Sequence, residues 1–97
     1  MSISVISGDT IRLSFEIRAF DNTYNDPTEL AVNVYAYEGR QIGETVQLDI
    51  NNKIAVGKYF YDLVVPESPT GSIVVELVAI VEDTPLVNRT QYNVLWI

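Results

Sequence analysis

Ile11-Arg12-Leu13-Ser14-Phe15-Glu16-Ile17-Arg18-Ala19 alternates an apolar with a polar residue at every step. A helix would spread these residues round its circumference. A strand instead puts Ile11, Leu13, Phe15, Ile17 and Ala19 on one face and Arg12, Ser14, Glu16 and Arg18 on the other. The tract therefore reads as a half-buried antiparallel strand, dry on one face and wet on the other. Upstream, Ile3 to Ile6 is a short β-prone run that ends at the turn signal Ser7-Gly8-Asp9.

Downstream, Asp21 to Thr28 concentrates Asx residues around Pro27 and reads as a loop, with Asp26 held extended by the proline that follows it. Leu30 to Tyr37 is a strand with Leu30, Val32, Val34 and Ala36 on one side and Tyr35 and Tyr37 on the other, partly covered, side. Glu38-Gly39-Arg40 turns the chain and Gly43 bends it. Thr45 to Ile50 is read as a strand, Asn51-Asn52-Lys53 as a turn, and Gly57 as the opening of the strand Lys58 to Val65. In that strand Tyr59, Tyr61, Leu63 and Val65 lie opposite Phe60, Asp62 and Val64. Pro66 to Gly71 stops it. Ser72 to Val81 is almost all β-branched or aliphatic, as a central strand covered on both faces requires. Glu82-Asp83-Thr84-Pro85 is a sharp turn, and Val87 to Ile97 is the closing strand.

No stretch sustains a 3.6-residue apolar period, and turn clusters recur at roughly 8–12-residue spacing. The expectation is a single immunoglobulin-like antiparallel β-sandwich of about seven strands over residues 1–97, favoured over an open barrel. An apolar fraction of 47% with 20% charged residues excludes a disordered chain. The chain has no Cys and no His, which removes disulfides, zinc–thiolate sites, thiol nucleophiles and the commonest general base. Ser and Thr thus lack a His partner for a hydrolase triad. A net charge of −7 with scattered cations argues against nucleic acid. The start carries no Lys or Arg, so no signal peptide is expected, and no run is long enough to cross a membrane as a helix.

Several residues in order carry a resemblance. Gly8-Asp9-Thr10 leads into the alternating strand. An Asp21-Asn22 turn and Asp26-Pro27-Thr28-Glu29-Leu30 follow, then Gly57-Lys58-Tyr59-Phe60-Tyr61-Asp62-Leu63, Pro66 and Gly71. The sequence resembles the small immunoglobulin-like modules of bacteriophage virion proteins and some bacterial surface proteins. That resemblance implies a non-enzymatic structural role in a virion assembled in the host cytoplasm: head cement or decoration, neck, tail or baseplate. The implied partners are other virion structural proteins, with self-association as a further option, and no cofactor. The alternative is a binding module of a bacterial surface protein that recognises sugar or protein through loops and exposed tyrosines.

Three groups of residues stand out as site candidates. Asp21, Asn25 and Asp26, with Asn22 and Asp9 nearby in the reading, offer oxygens for calcium. The favoured alternative is that these Asx side chains cap their own turn. Glu16 with Glu76 or Asp62 offers a carboxylate pair, against the simpler reading of solvated acids on sheet faces. Ile3, Val5, Leu95, Trp96 and Ile97 are candidates for a partner interface because both terminal segments lack the charges that normally guard an edge strand, and Tyr24 is a further candidate as an aromatic in a polar loop. The terminal strands either pair with a neighbour or pair within the domain; both readings stay open at this point. The strand tyrosines are read as core or semi-core.

Overall fold

The computed structural model describes residues 3–67 and 71–96. Eight strands form in order: β1 (Ile3–Ile6), β2 (Thr10–Glu16), β3 (Glu29–Ala36), β4 (Val46–Gln47), β5 (Lys53–Ala55), β6 (Lys58–Val64), β7 (Ser72–Val81) and β8 (Thr84–Leu95). They make a five-stranded sheet, β1-β8-β7-β3-β4, and a three-stranded sheet, β2-β6-β5. Together these build an all-β sandwich. Every neighbouring pair is antiparallel except β1–β8, which is parallel and so departs from the wholly antiparallel expectation.

The alternation sorts side chains as the period of two demands. Leu13 and Ile17 face inward from the β2 segment, and Tyr59, Leu63 and Val65 from β6. They meet Leu30, Val32 and Val34 of β3, Ile73, Val75, Leu77, Ala79 and Val81 of β7, and Val5 and Val94 from the terminal strands. Ile73, Val32 and Val65 are the most completely enclosed. Each such side chain contributes about 1.5–3 kcal/mol by leaving water. Strand β7 is paired on both flanks, with β3 and with β8, as its composition requires.

Three boundaries differ from the sequence reading, each for a local reason. The strand expected over Thr45–Ile50 shrinks to Val46–Gln47. After Leu48, Asp49 caps a 3₁₀ turn, Ile50–Asn52, through a capping box with Asn52, and Ile50 is left exposed. Asx side chains there compete for the backbone that a longer ladder would use. Directly after it, the short β5 appears where only a turn was expected. The last turn is two residues long, not four: Glu82 (φ 51°) and Asp83 (φ 62°) are both left-handed, the geometry of a type I′ hairpin. Pro85 then lies inside β8, paired in register with Ile80. Its backbone position points away from β7 on a stretch that β1 does not reach, so its missing N–H costs no ladder bond.

Gly57 is the one glycine that has no room for a side chain. Its φ is +71°, and a Cβ there would lie 2.6 Å from the Ile17 carbonyl oxygen and 2.9 Å from the Asn25 nitrogen. The β5–β6 turn, the end of β2 and the Asx loop all converge on it. Gly57→Ala is expected to cost about 2 kcal/mol or more, left-handed strain plus a backbone clash. Gly39→Ala, also left-handed but with open space around it, is expected to cost about 1 kcal/mol. Urea unfolding of the two variants checks the difference. In the hairpin, Glu82→Asn combined with Asp83→Gly is expected to stabilise by about 1 kcal/mol, because these residues suit a type I′ turn.

Candidate functional site

The Asx loop is held by its own side chains. The Asp21 carboxylate accepts from the Thr23 N–H at 3.1 Å and from the Thr23 hydroxyl at 2.6 Å. Those bonds keep its pKa below the ordinary carboxylate range. Asp26 reaches elsewhere: it accepts from Lys53 Nζ at 2.6 Å, from the Gly57 N–H at 3.0 Å and from the Tyr59 hydroxyl at 3.1 Å. The Lys53 bond first, and then the Gly57 amide, lower its pKa. Asn25 is tied through its main chain to the Ile17 carbonyl. Asp9 accepts from the neighbouring Thr10 N–H. The three residues read as calcium candidates are thus engaged with different partners. Among the described residues no group of three or more acidic side chains could hold a metal ion.

Tyr24, the loop residue singled out for partner contact, is 39% exposed. Arg18 and Lys58 lie over its ring at 4.6 Å and 4.9 Å, and its hydroxyl accepts from Arg18 at 2.9 Å. Part of its surface is therefore already used to fasten the loop to β2 and β6.

The carboxylates considered as a catalytic pair do not meet. Asp62 forms a two-point pair with Arg12, at 2.8 Å and 3.0 Å, and Arg12 covers the Phe60 ring. Glu16 pairs with Arg18 at 3.3 Å. Glu76 belongs to the other sheet. It lies on the outward-facing side of β7, opposite the core residues Val75 and Leu77, yet it is only 7% exposed. Its two oxygens accept from Asn33 at 3.1 Å, the Tyr35 hydroxyl at 3.3 Å and Arg89 at 2.7 Å. Gln41 and Thr45 extend the network through the Asn33 amide oxygen. Burial pushes the Glu76 carboxyl upward, but the bonds from Arg89 and Asn33 outweigh it and leave the pKa below its usual value. The network stitches β3, β7 and β8 together across the outer sheet face. Beside it lies a shallow depression of about 310 Å³ that includes Tyr35, Tyr37, Val74, Glu76 and Arg89. The sequence reading missed this network; the polar pair Asn33 and Glu76, placed at the middle of two apolar strands, is the signal that could have found it.

The terminal strands pair with each other. Ile3, Ser4, Val5 and Ile6 are in register with Tyr92, Asn93, Val94 and Leu95. Val5, read as an interface candidate, is instead buried against the core, because its parity places it opposite Val94 on the inner face. Ile3, Ile6, Leu95 and Trp96 do remain exposed, Trp96 at 70%. Ile97 lies outside the described residues.

Among the described residues, strand β1 borders the last four residues of β8, and β2 has a partner on one side only. The sandwich is therefore open along one flank, between β2 and the first part of β8. A cleft of about 500 Å³ lies there, with Leu13, Phe15, Leu77, Ala79, Leu86 and Asn88 among its walls. No family model, no curated protein and no solved structure matches the chain.

Because the Glu76 pKa is lower folded than unfolded, its contribution is present above the ordinary carboxylate range and is lost as pH falls through the folded value. Melting temperatures of the wild type and Glu76→Gln are expected to differ most near neutrality and to converge below about pH 4. A gap that stays constant down to acid pH contradicts this role for the carboxylate.

Proposed function

We propose that this protein is a non-enzymatic joining module, a structural part of a bacteriophage particle that binds its neighbours through strand edges and apolar surface. The reading rests on the virion-module resemblance of the sequence together with the surface of the sandwich. The observation that carries it is the bare apolar end built by the paired terminal strands. Ile6 and Leu95 face outward side by side in register, while Ile3 and Trp96, which share the parity of Val5 and Val94, are exposed at the two ends of the same ladder. Exposed apolar residues scattered singly need no explanation, but four of them along one short, uncharged terminal ladder have the composition of an interface.

The strand order favours the immunoglobulin-like form of the proposal. Strands β2, β6 and β5 form one sheet, as the B, E and D strands do in that sandwich, and β7 lies between β3 and β8 in the other, as F lies between C and G. The acidic side chains support a structural reading as well. Asp26, Asp62 and Glu76 are each spent on a cation that fastens one element to another.

Deleting Trp96 and Ile97 is expected to lower the melting temperature by no more than a few degrees, since Trp96 is largely in water. The same deletion is expected to reduce incorporation into purified phage particles severalfold, measured by quantitative mass spectrometry of the particles. If the full chain is absent from particles and behaves as a monomer that binds glycans, the surface-protein alternative takes its place. If the truncated chain unfolds, the terminal residues belong to the core and the interface argument fails.

A further inference from the structure

We infer that the open flank of the sandwich is a strand-addition site, in which an uncharged extended segment of a partner protein pairs antiparallel with β2 and fills the cleft beneath it. This rests on the joining role proposed above and names the surface that performs it.

The hydrogen-bonding parity of β2 is fixed at both ends of its ladder. The Ile17 N–H donates to the Gly57 carbonyl at 2.7 Å, and the Val65 N–H donates to the Asp9 carbonyl at 2.8 Å. With the unbroken register between them, Ile11, Leu13 and Phe15 turn their main-chain groups toward β6. Arg12, Ser14 and Glu16 turn theirs away from it, and among the described residues nothing pairs with them. They present donors and acceptors at every second residue, the spacing that an added strand matches. The inner side chains of such a strand would enter the cleft over Leu13, Phe15, Leu77, Ala79 and Leu86. Among the described residues no proline, bulge or covering loop guards this edge, and its charges, Arg12 and Glu16, are engaged in ion pairs with Asp62 and Arg18, whereas Pro85 interrupts the donors on the opposite lip.

Charge selects the occupant. The chain carries −7 overall. Of the charged residues in the cleft wall, however, Arg12 is paired with Asp62 and Arg18 with Glu16, and on β8 Arg89 is paired with Glu76 across the outer face of the sheet. Strand β8 contains no acidic residue. The flank is thus a neutral strip in an acidic molecule. An acidic segment meets the repulsion of the whole, and a basic one finds no free acid to pair with. The molecule itself supplies an example of the fitting chemistry. Ile3-Ser4-Val5-Ile6 is uncharged, turns Val5 inward, and occupies the β8 edge of this same flank as far as Tyr92. The remainder of the flank is matched by a segment of the same kind.

The test uses the full chain and a synthetic peptide, acetyl-Thr-Val-Ser-Ile-Thr-Val-Ser-amide, followed by amide hydrogen exchange in NMR. With peptide in excess, the amides of Arg12, Ser14 and Glu16 are expected to exchange about tenfold slower or more, while those of Leu13 and Phe15, already bonded to β6, do not change. Ser14→Pro removes an outward N–H that the fold does not use. It is expected to keep the melting temperature within a few degrees and to lose the protection of its neighbours. Asn88→Phe, at an exposed position whose side chain faces the cleft, is expected to block the peptide without touching β2, and so decides the matter if Ser14→Pro does not fold. The inference is overturned if peptide leaves the β2 amides unprotected, if protection falls on Val87, Arg89 and Gln91 instead, or if both variants bind as the wild type does. Particle incorporation with unprotected β2 amides defeats this site and leaves the joining role standing. Protected amides without incorporation do the reverse.

Discussion

Ser72–Val81 is hydrogen-bonded along both flanks, and every other part of the large sheet takes its place from that strand. A β-strand with neighbours on both sides can be dry on its inner face at no polar cost, because its main-chain groups are all satisfied within the sheet. Ile73, Val75, Leu77, Ala79 and Val81 use that freedom to build most of one core wall. The outer face of the same strand is half-buried, and at its middle the chain places the buried Glu76, which must then be matched by Asn33, Tyr35 and Arg89. One strand therefore sets both the apolar packing of the interior and the polar lacing of the exterior.

The small sheet is positioned by a different device. It has only β2, β6 and the short β5, too little ladder to hold itself flat against the large one. Asp26 compensates by crossing from the loop to Lys53, Gly57 and Tyr59, so that the Asx loop acts as a buckle over the β5–β6 turn. Gly57 is the residue on which the buckle closes, and the absence of a side chain there is what allows Ile17, Asn25 and Asp26 to approach one backbone position. The acids of this protein are structural parts first.

Period-two alternation made the core legible from sequence: the inward residues of β2, β3, β6 and β7 are those that the pattern assigns. What it could not show were features set by side chains competing for backbone. Asp49 and Asn52 replaced the end of an expected strand with a 3₁₀ turn. Glu82 and Asp83 made a tight hairpin from residues that rarely adopt positive φ, and so Pro85 fell inside a strand. The interface candidates divided by parity and by position along the ladder. Leu95 faces outward by parity and Val5 inward, while Ile3 and Trp96, in phase with the core residues Val5 and Val94, stay at the surface because they lie at the ends of the terminal ladder. Tyr24 was legible as a loop aromatic, but its stacking on Arg18 and Lys58 depends on pairing across the loop that no local pattern encodes. The open flank was invisible for the same reason. Which edge lacks a neighbour is decided by strand order, and alternation says nothing about order.

The parallel pairing of β1 with β8 has a mechanical consequence. Because the two strands run the same way, the chain enters at one end of their shared ladder and leaves at the other. Tension drawn between the two ends would load those bonds together in shear, and none could yield alone as in a zipper opened from its tip. The load would pass across the uncharged edge into β8 and then into β7, the best-anchored strand of the molecule. A sandwich built this way resists being pulled at its ends while leaving its side flank free, as the proposed joining role requires.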